Sequence, residues 1–104
     1  MALNINGTTG ISGVDGSASA PALQGSDSNT GLSFGTDTVN INTGGSTRAT
    51  VDSSGRVLIG TTTEGTVSGD DLTISNSGNM GLTLRSTDSN YCNIYFSDAT
   101  SGAA

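Results

Sequence analysis

The feature that most limits the fold of this chain is a two-residue period. Apolar residues stand one polar residue apart, and a glycine follows closely. LNING carries Leu3, Ile5 and Gly7; VNINTG carries Val39, Ile41 and Gly44; LTISNSG carries Leu72, Ile74 and Gly78. Such alternation gives a strand one apolar and one polar face. The motifs begin at positions 3, 39 and 72, a spacing of about 35 residues that marks repeat architectures. GLSFG, with Leu32 and Phe34, and GLTLR, with Leu82 and Leu84, fit the same template. In YCNIYF, Cys92, Ile94 and Phe96 share the better core face, and Tyr91 and Tyr95 turn outward or against a neighbouring chain.

Strong turn signals separate these runs. Asp52-Ser53-Ser54-Gly55 lies between Val51 and Val57 and reads as a hairpin whose Gly55 takes a positive φ. Asn42 to Thr47, with Gly44, reads as a second tight turn. Residues 12–31 carry Gly, Ser, Asp and Pro21, the one proline, and read as an irregular linker. A short helix over Ala18 to Gln24 is the one helical expectation. No sustained helical period exists elsewhere.

Strands this sparse cannot build a large core alone. Gly, Ser and Thr make up nearly half of the 104 residues, and only 4% are aromatic. Ordering costs about 1–2 kcal/mol per residue in backbone entropy, and small domains are already marginal. Either the isolated chain is disordered, or partner chains supply the missing core. Lys is absent and Glu and Pro each occur once, which is unlike a disordered chain. The expected fold is therefore all-β: short strands and hairpins in an elongated, intertwined assembly with irregular linkers. Interleaving would also hide open strand edges. The expected core set is Leu3, Ile5, Leu32, Phe34, Val39, Ile41, Val57, Ile59, Leu72, Ile74, Leu82, Leu84, Ile94 and Phe96.

Charge and chemistry narrow the function. The net charge is −6, with three cationic residues, against nucleic acid or a polybasic membrane contact. Without His there is no imidazole base or ligand, and one Cys cannot build a thiolate metal site. Cys92 reads as strand packing rather than as a nucleophile. Asp70 and Asp71, as strand neighbours, point to opposite faces and read as a solvated turn. No phosphate-binding glycine loop occurs. Arg48 and Arg56 flank one turn, where pairing with Asp52 or with another chain's acid would set register. No catalytic residue, metal or cofactor is called for. The chain has no secretory leader pattern and no run of about 18 apolar residues that would span a membrane.

The residues GTDTVNINTGGSTRATVDSSGRVLIGTT, 35–62, resemble a repeat of tail fibres from marine and cyanobacterial phages. In those fibres a VDSSG-type turn leads into an apolar triplet and IGT. Residues 11–36 are similar to the segment preceding that repeat, and residues 90–104 look like the start of another fibre element. The resemblance implies a homotrimeric, non-enzymatic virion component, assembled in the host cytoplasm. It divides the chain into 1–31, attachment and linker; 32–66, a first stalk repeat; and 67–104, a second, truncated one. The implied partners are other copies of the chain and a tail or baseplate adaptor at the amino-terminal end. The host surface would be met only through distal parts beyond Ala104. A carbohydrate-binding adhesin, with Tyr91 and Tyr95 stacking on sugar rings, is the competing reading.

Overall fold

A computed structural model describes residues 4–8 and 10–99. They are all-β. Strands β1 (Asn4–Asn6) and β2 (Gly10–Ser12) form a small antiparallel hairpin that sets Ile5 opposite Ile11. The main sheet holds β3 (Leu23–Gln24), β4 (Gly31–Gly35), β5 (Thr38–Thr43), β6 (Ser46–Val51), β7 (Val57–Ile59) and β8 (Leu72–Ile74), in sequence order. All its pairings are antiparallel except β7 with β8.

Turn chemistry explains the meander. Gly44 and Gly45 both take positive φ, 59° and 77°, as a two-residue hairpin loop requires. Asp37, at φ 53°, supplies the left-handed residue between β4 and β5; Asp tolerates that conformation better than most residues do. Between β6 and β7, Asp52 organises the turn. Its Oδ1 accepts from the amides of Ser54 and Arg56, and Gly55 closes it at φ 81°. Both expected glycine turns, Gly44 and Gly55, thus form.

Other expectations change. No helix forms over Ala18 to Gln24. A tight turn links Ser17 to Ala20 through paired backbone bonds, and Leu23–Gln24 joins the sheet. Pro21 within that short stretch disfavours a helical path for its neighbour. Residues 82–84 and 91–96 form no strand, and Leu82, Leu84, Ile94 and Phe96 are exposed, Phe96 at 93%. Alternation fits these segments for a strand, but a strand also needs a backbone partner. Cys92 is likewise exposed rather than packed. Leu3 lies outside the described residues. The sheet runs from Leu23 to Ile74 and so draws strands from 1–31, 32–66 and 67–104 alike.

The motif copies at 39 and 72 sit in one sheet in unlike surroundings. β5 is a central antiparallel strand, whereas β8 is a parallel edge. The copy at 5–7 belongs to the separate hairpin.

The chain does not close on itself. Its radius of gyration is 18.0 Å, against about 13 Å for a compact chain of this length. It exposes 7998 Å², where a compact monomer of its mass exposes roughly 5,300 Å².

Candidate functional site

The sheet is inside out. Register places Leu23, Leu32, Ile41, Ala49, Ile59 and Ile74 in one row across all six strands. Two residues along lies a second row: Phe34, Val39, Val51, Val57 and Leu72. Cross-strand partners share a face, so these two rows form an apolar stripe on one face; Thr43, two residues beyond Ile41, and the Arg48 side chain bonded to it lie at its edge on the same side. That face is open. Ile41, near its centre, is 49% exposed, and Leu23, Val39, Val51, Val57, Ile59 and Leu72 are exposed as well. A depression of about 80 Å³ lies among Val39, Ile41, Ala49, Val51 and Val57. A larger groove, about 380 Å³, begins at Leu23 and Phe34 and is completed by Ile11, Val14 and Pro21.

The opposite face holds the buried polar groups. Its middle row is Ser33, Asn40, Thr50, Leu58 and Thr73. Leu58, 1% exposed, is the one large apolar side chain buried among the described residues. Asn42, also 1% exposed, donates from Nδ2 to Ser33 Oγ at 2.8 Å and accepts from Thr47 Oγ1 at 2.8 Å. Thr50 Oγ1 donates to Asn40 Oδ1 at 2.9 Å. A bulge makes the Asn42–Thr47 bond possible. Ile41 pairs with Ala49 but Asn42 pairs with Thr47, so Arg48 is the extra residue. The added residue switches Thr47 to the side of Asn42. Among the described residues no buried side-chain polar atom lacks a partner.

The β3–β4 loop is tied to the β5–β6 turn, and the β7–β8 connection returns over the polar face. The Gly44 and Gly45 amides bond to Thr30 Oγ1 and the Asn29 carbonyl, which ties residues 29–30 to the β5–β6 turn. The β7–β8 connection returns on the side of Leu58, because the Gly65 amide bonds to Thr73 Oγ1, in Leu58's own row.

Arg56 locks that connection down. Its guanidinium reaches Asp52 Oδ2 at 2.8 Å, Asp70 Oδ2 at 3.1 Å and Glu64 Oε1 at 3.7 Å. The Arg56 amide, and with it the Arg56 guanidinium and the Ser54 amide, hold the Asp52 carboxyl below its ordinary pKa. Hydrogen bonds to Asp52 and Asp70 hold the guanidinium above its own. Asp70 is thus one partner in an ion-pair cluster, while the Asp71 carbonyl accepts from the Val57 amide. Arg48 bonds to Thr43 Oγ1 instead of Asp52.

Among the expected core residues, Leu32, Phe34, Val39, Ile41, Val57, Ile59, Leu72 and Ile74 meet on the one apolar face. Ile5 lies on the β1–β2 hairpin; Leu82, Leu84, Ile94 and Phe96 lie beyond the sheet. Leu23, Ala49 and Val51 complete the face without having been expected there. A cue for Ala49 and Val51 was present, since Ala-Thr-Val continues the alternation into the Asp52 turn. Leu58 and the polar network carried no such cue, because parity alone does not say which face a chain covers. Among the described residues no group of three or more His, Cys, Asp or Glu is placed to hold a metal ion. Comparison with family models, with curated proteins and with solved structures gives no match to this chain.

Proposed function

We propose that the chain is a structural, non-enzymatic segment of a bacteriophage tail fibre, built as an elongated, intertwined homotrimer. Its role is mechanical: it links a tail or baseplate adaptor at its amino-terminal side to distal, host-recognising parts. The fibre assembles in the host cytoplasm and functions on the virion. One observation carries the self-association in this reading. The chain satisfies its polar sheet face internally and leaves the apolar face bare. The phage assignment rests on the sequence resemblance of residues 11–62 and 90–104 to tail fibres.

Immunogold electron microscopy of the virions, with antibody raised against the chain, tests the placement. Gold along tail fibres is the expected result. Gold on the capsid alone, or no gold on intact virions, would remove the reading. A carbohydrate-binding adhesin is the second reading, favoured by the nearly full exposure of Tyr91 and Tyr95. Retention of labelled host polysaccharide by the chain would move that reading ahead.

A further inference from the structure

We propose that Asn6 is a site of spontaneous covalent modification: its side-chain amide is lost through a cyclic imide formed with Gly7, and the product remodels the β1–β2 hairpin. The reaction needs no enzyme and no reactant beyond water, and it is independent of how copies of the chain assemble. Asn6-Gly7 is the one Asn-Gly pair in the sequence. Asn6 ends β1, opposite Gly10, and Gly7 begins the turn that follows. Asn6 Oδ1 accepts from the Thr8 amide at 2.8 Å, the bond of an Asx turn. That bond folds the carboxamide back beside the Gly7 main chain, whose nitrogen is the attacking atom. Gly7 has no Cβ to crowd the approach, and both residues are exposed. The hairpin is also lightly held. Its two strands pair only with each other, and a lone two-stranded hairpin is marginal in water, so the turn opens to the geometry that ring closure requires.

In the first step the Gly7 nitrogen gives its proton to hydroxide and bonds to Asn6 Cγ, and the side-chain nitrogen leaves as ammonia. Water then opens the imide. Breaking the bond from nitrogen to Cγ gives aspartate. Breaking the bond from nitrogen to the main-chain carbonyl carbon gives isoaspartate, whose backbone runs through Cβ and Cγ. Either product adds one negative charge to the net −6. Isoaspartate also lengthens the end of β1 by one carbon, which slips the pairing of Ile5 with Ile11. Ile11 lines the larger groove with Val14 and Phe34, so the groove changes with it. Other sites lack at least one of these conditions. Asn42 is 1% exposed and bonded through both Nδ2 and Oδ1. Asn76 makes a similar turn, its Oδ1 accepting from the Gly78 amide at 2.6 Å, but Ser77 follows it. The one Asp-Gly pair, Asp15-Gly16, is clamped. The Asp15 carbonyl accepts from the Phe34 amide at 2.8 Å, and Gly16 bridges to Pro21.

Ageing the full chain in mildly alkaline buffer tests the site. Peptide mass mapping follows each asparagine, and labelling by an isoaspartate methyltransferase follows the isoaspartate product. Asn6 should convert roughly tenfold faster than Asn76, because the residue after it has no Cβ, and Asn42 should stay intact. Gly7→Ala is the control. Gly7 lies outside the left-handed region and an added Cβ meets no atom within 4 Å. The hairpin is therefore kept, and conversion of Asn6 should slow roughly tenfold. Conversion of Asn76 ahead of Asn6, or an unchanged rate in Gly7→Ala, would overturn the proposal. In the purified isoaspartate form, the cross-strand NMR contact between Ile5 and Ile11 should be lost while those between β5 and β6 persist. An isoaspartate chain that keeps the Ile5–Ile11 contact would overturn the remodelling of the hairpin.

Discussion

Replacing Asn42 by Ala should be among the most destabilising polar substitutions in the chain. The side chain loses a donor bond to Ser33 and an acceptor bond from Thr47, both 2.8 Å long. Each is worth about 1 kcal/mol net. The Ser33 hydroxyl, 3% exposed, is then left without its partner, at a further cost of about 1–2 kcal/mol. Thr47 is only part-buried and can turn to water. The expected loss is therefore about 3–4 kcal/mol, a large share of the 5–15 kcal/mol typical of folded domains. Thr47→Val removes one bond and should cost about 1–2 kcal/mol. Urea unfolding at one fixed chain concentration reads both values, because assembly makes apparent stability depend on concentration. A loss below about 0.5 kcal/mol for Asn42→Ala, within the range of ordinary surface substitutions, would refute the claim that this face is a closed hydrogen-bonded network.

Other expectations follow from the turns and the ion pairs. Asp52 has its pKa lowered from 3.8, so its contribution to stability is present above pH 3.8 and disappears as pH falls through the lower folded value. Asp52→Asn should flatten that part of the acid limb in a pH series of thermal unfolding; an unchanged limb would contradict the assignment. Gly55→Ala meets no atom within 4 Å and should cost only the left-handed strain, about 1–2 kcal/mol. Gly60→Ala, at φ 77°, also drives its Cβ into the Ser75 carbonyl oxygen beside β8. It should destabilise more than Gly55→Ala by urea midpoint, and the reverse order would be evidence against the β7–β8 pairing.

Much of the local structure was legible in the sequence. The alternation in GLSFG, VNINTG and LTISNSG marks β4, β5 and β8, and the Asp52 to Gly55 turn sets the β6–β7 hairpin. Alternation fixes which side chains share a face. It does not fix which face the chain itself covers. Asn42, Ser33 and Thr47 look like outward polar residues until register brings them within bonding distance, and for Thr47 that depends on the bulge at Arg48. The β7–β8 crossover was also hidden, because the turn residues between Ile59 and Leu72 do not distinguish a parallel return from an antiparallel hairpin. Residues 82–84 and 91–96 carry strand-like alternation, yet a strand is completed by its partner and not by its own sequence. Leu58 shares its parity with Arg56 and Gly60, so alternation marks Val57 and Ile59 as the apolar pair and leaves Leu58 unmarked.

The measurement closest to the central claim is the solution mass of the unmodified chain by multi-angle light scattering, followed over a dilution series. The account predicts a particle three times the 10.2 kDa of one chain, dissociating on dilution only with loss of β-structure by circular dichroism. A stable, folded single chain at every concentration would show that a bare apolar sheet face is tolerated in water, and would contradict the claim that copies of the chain complete its core.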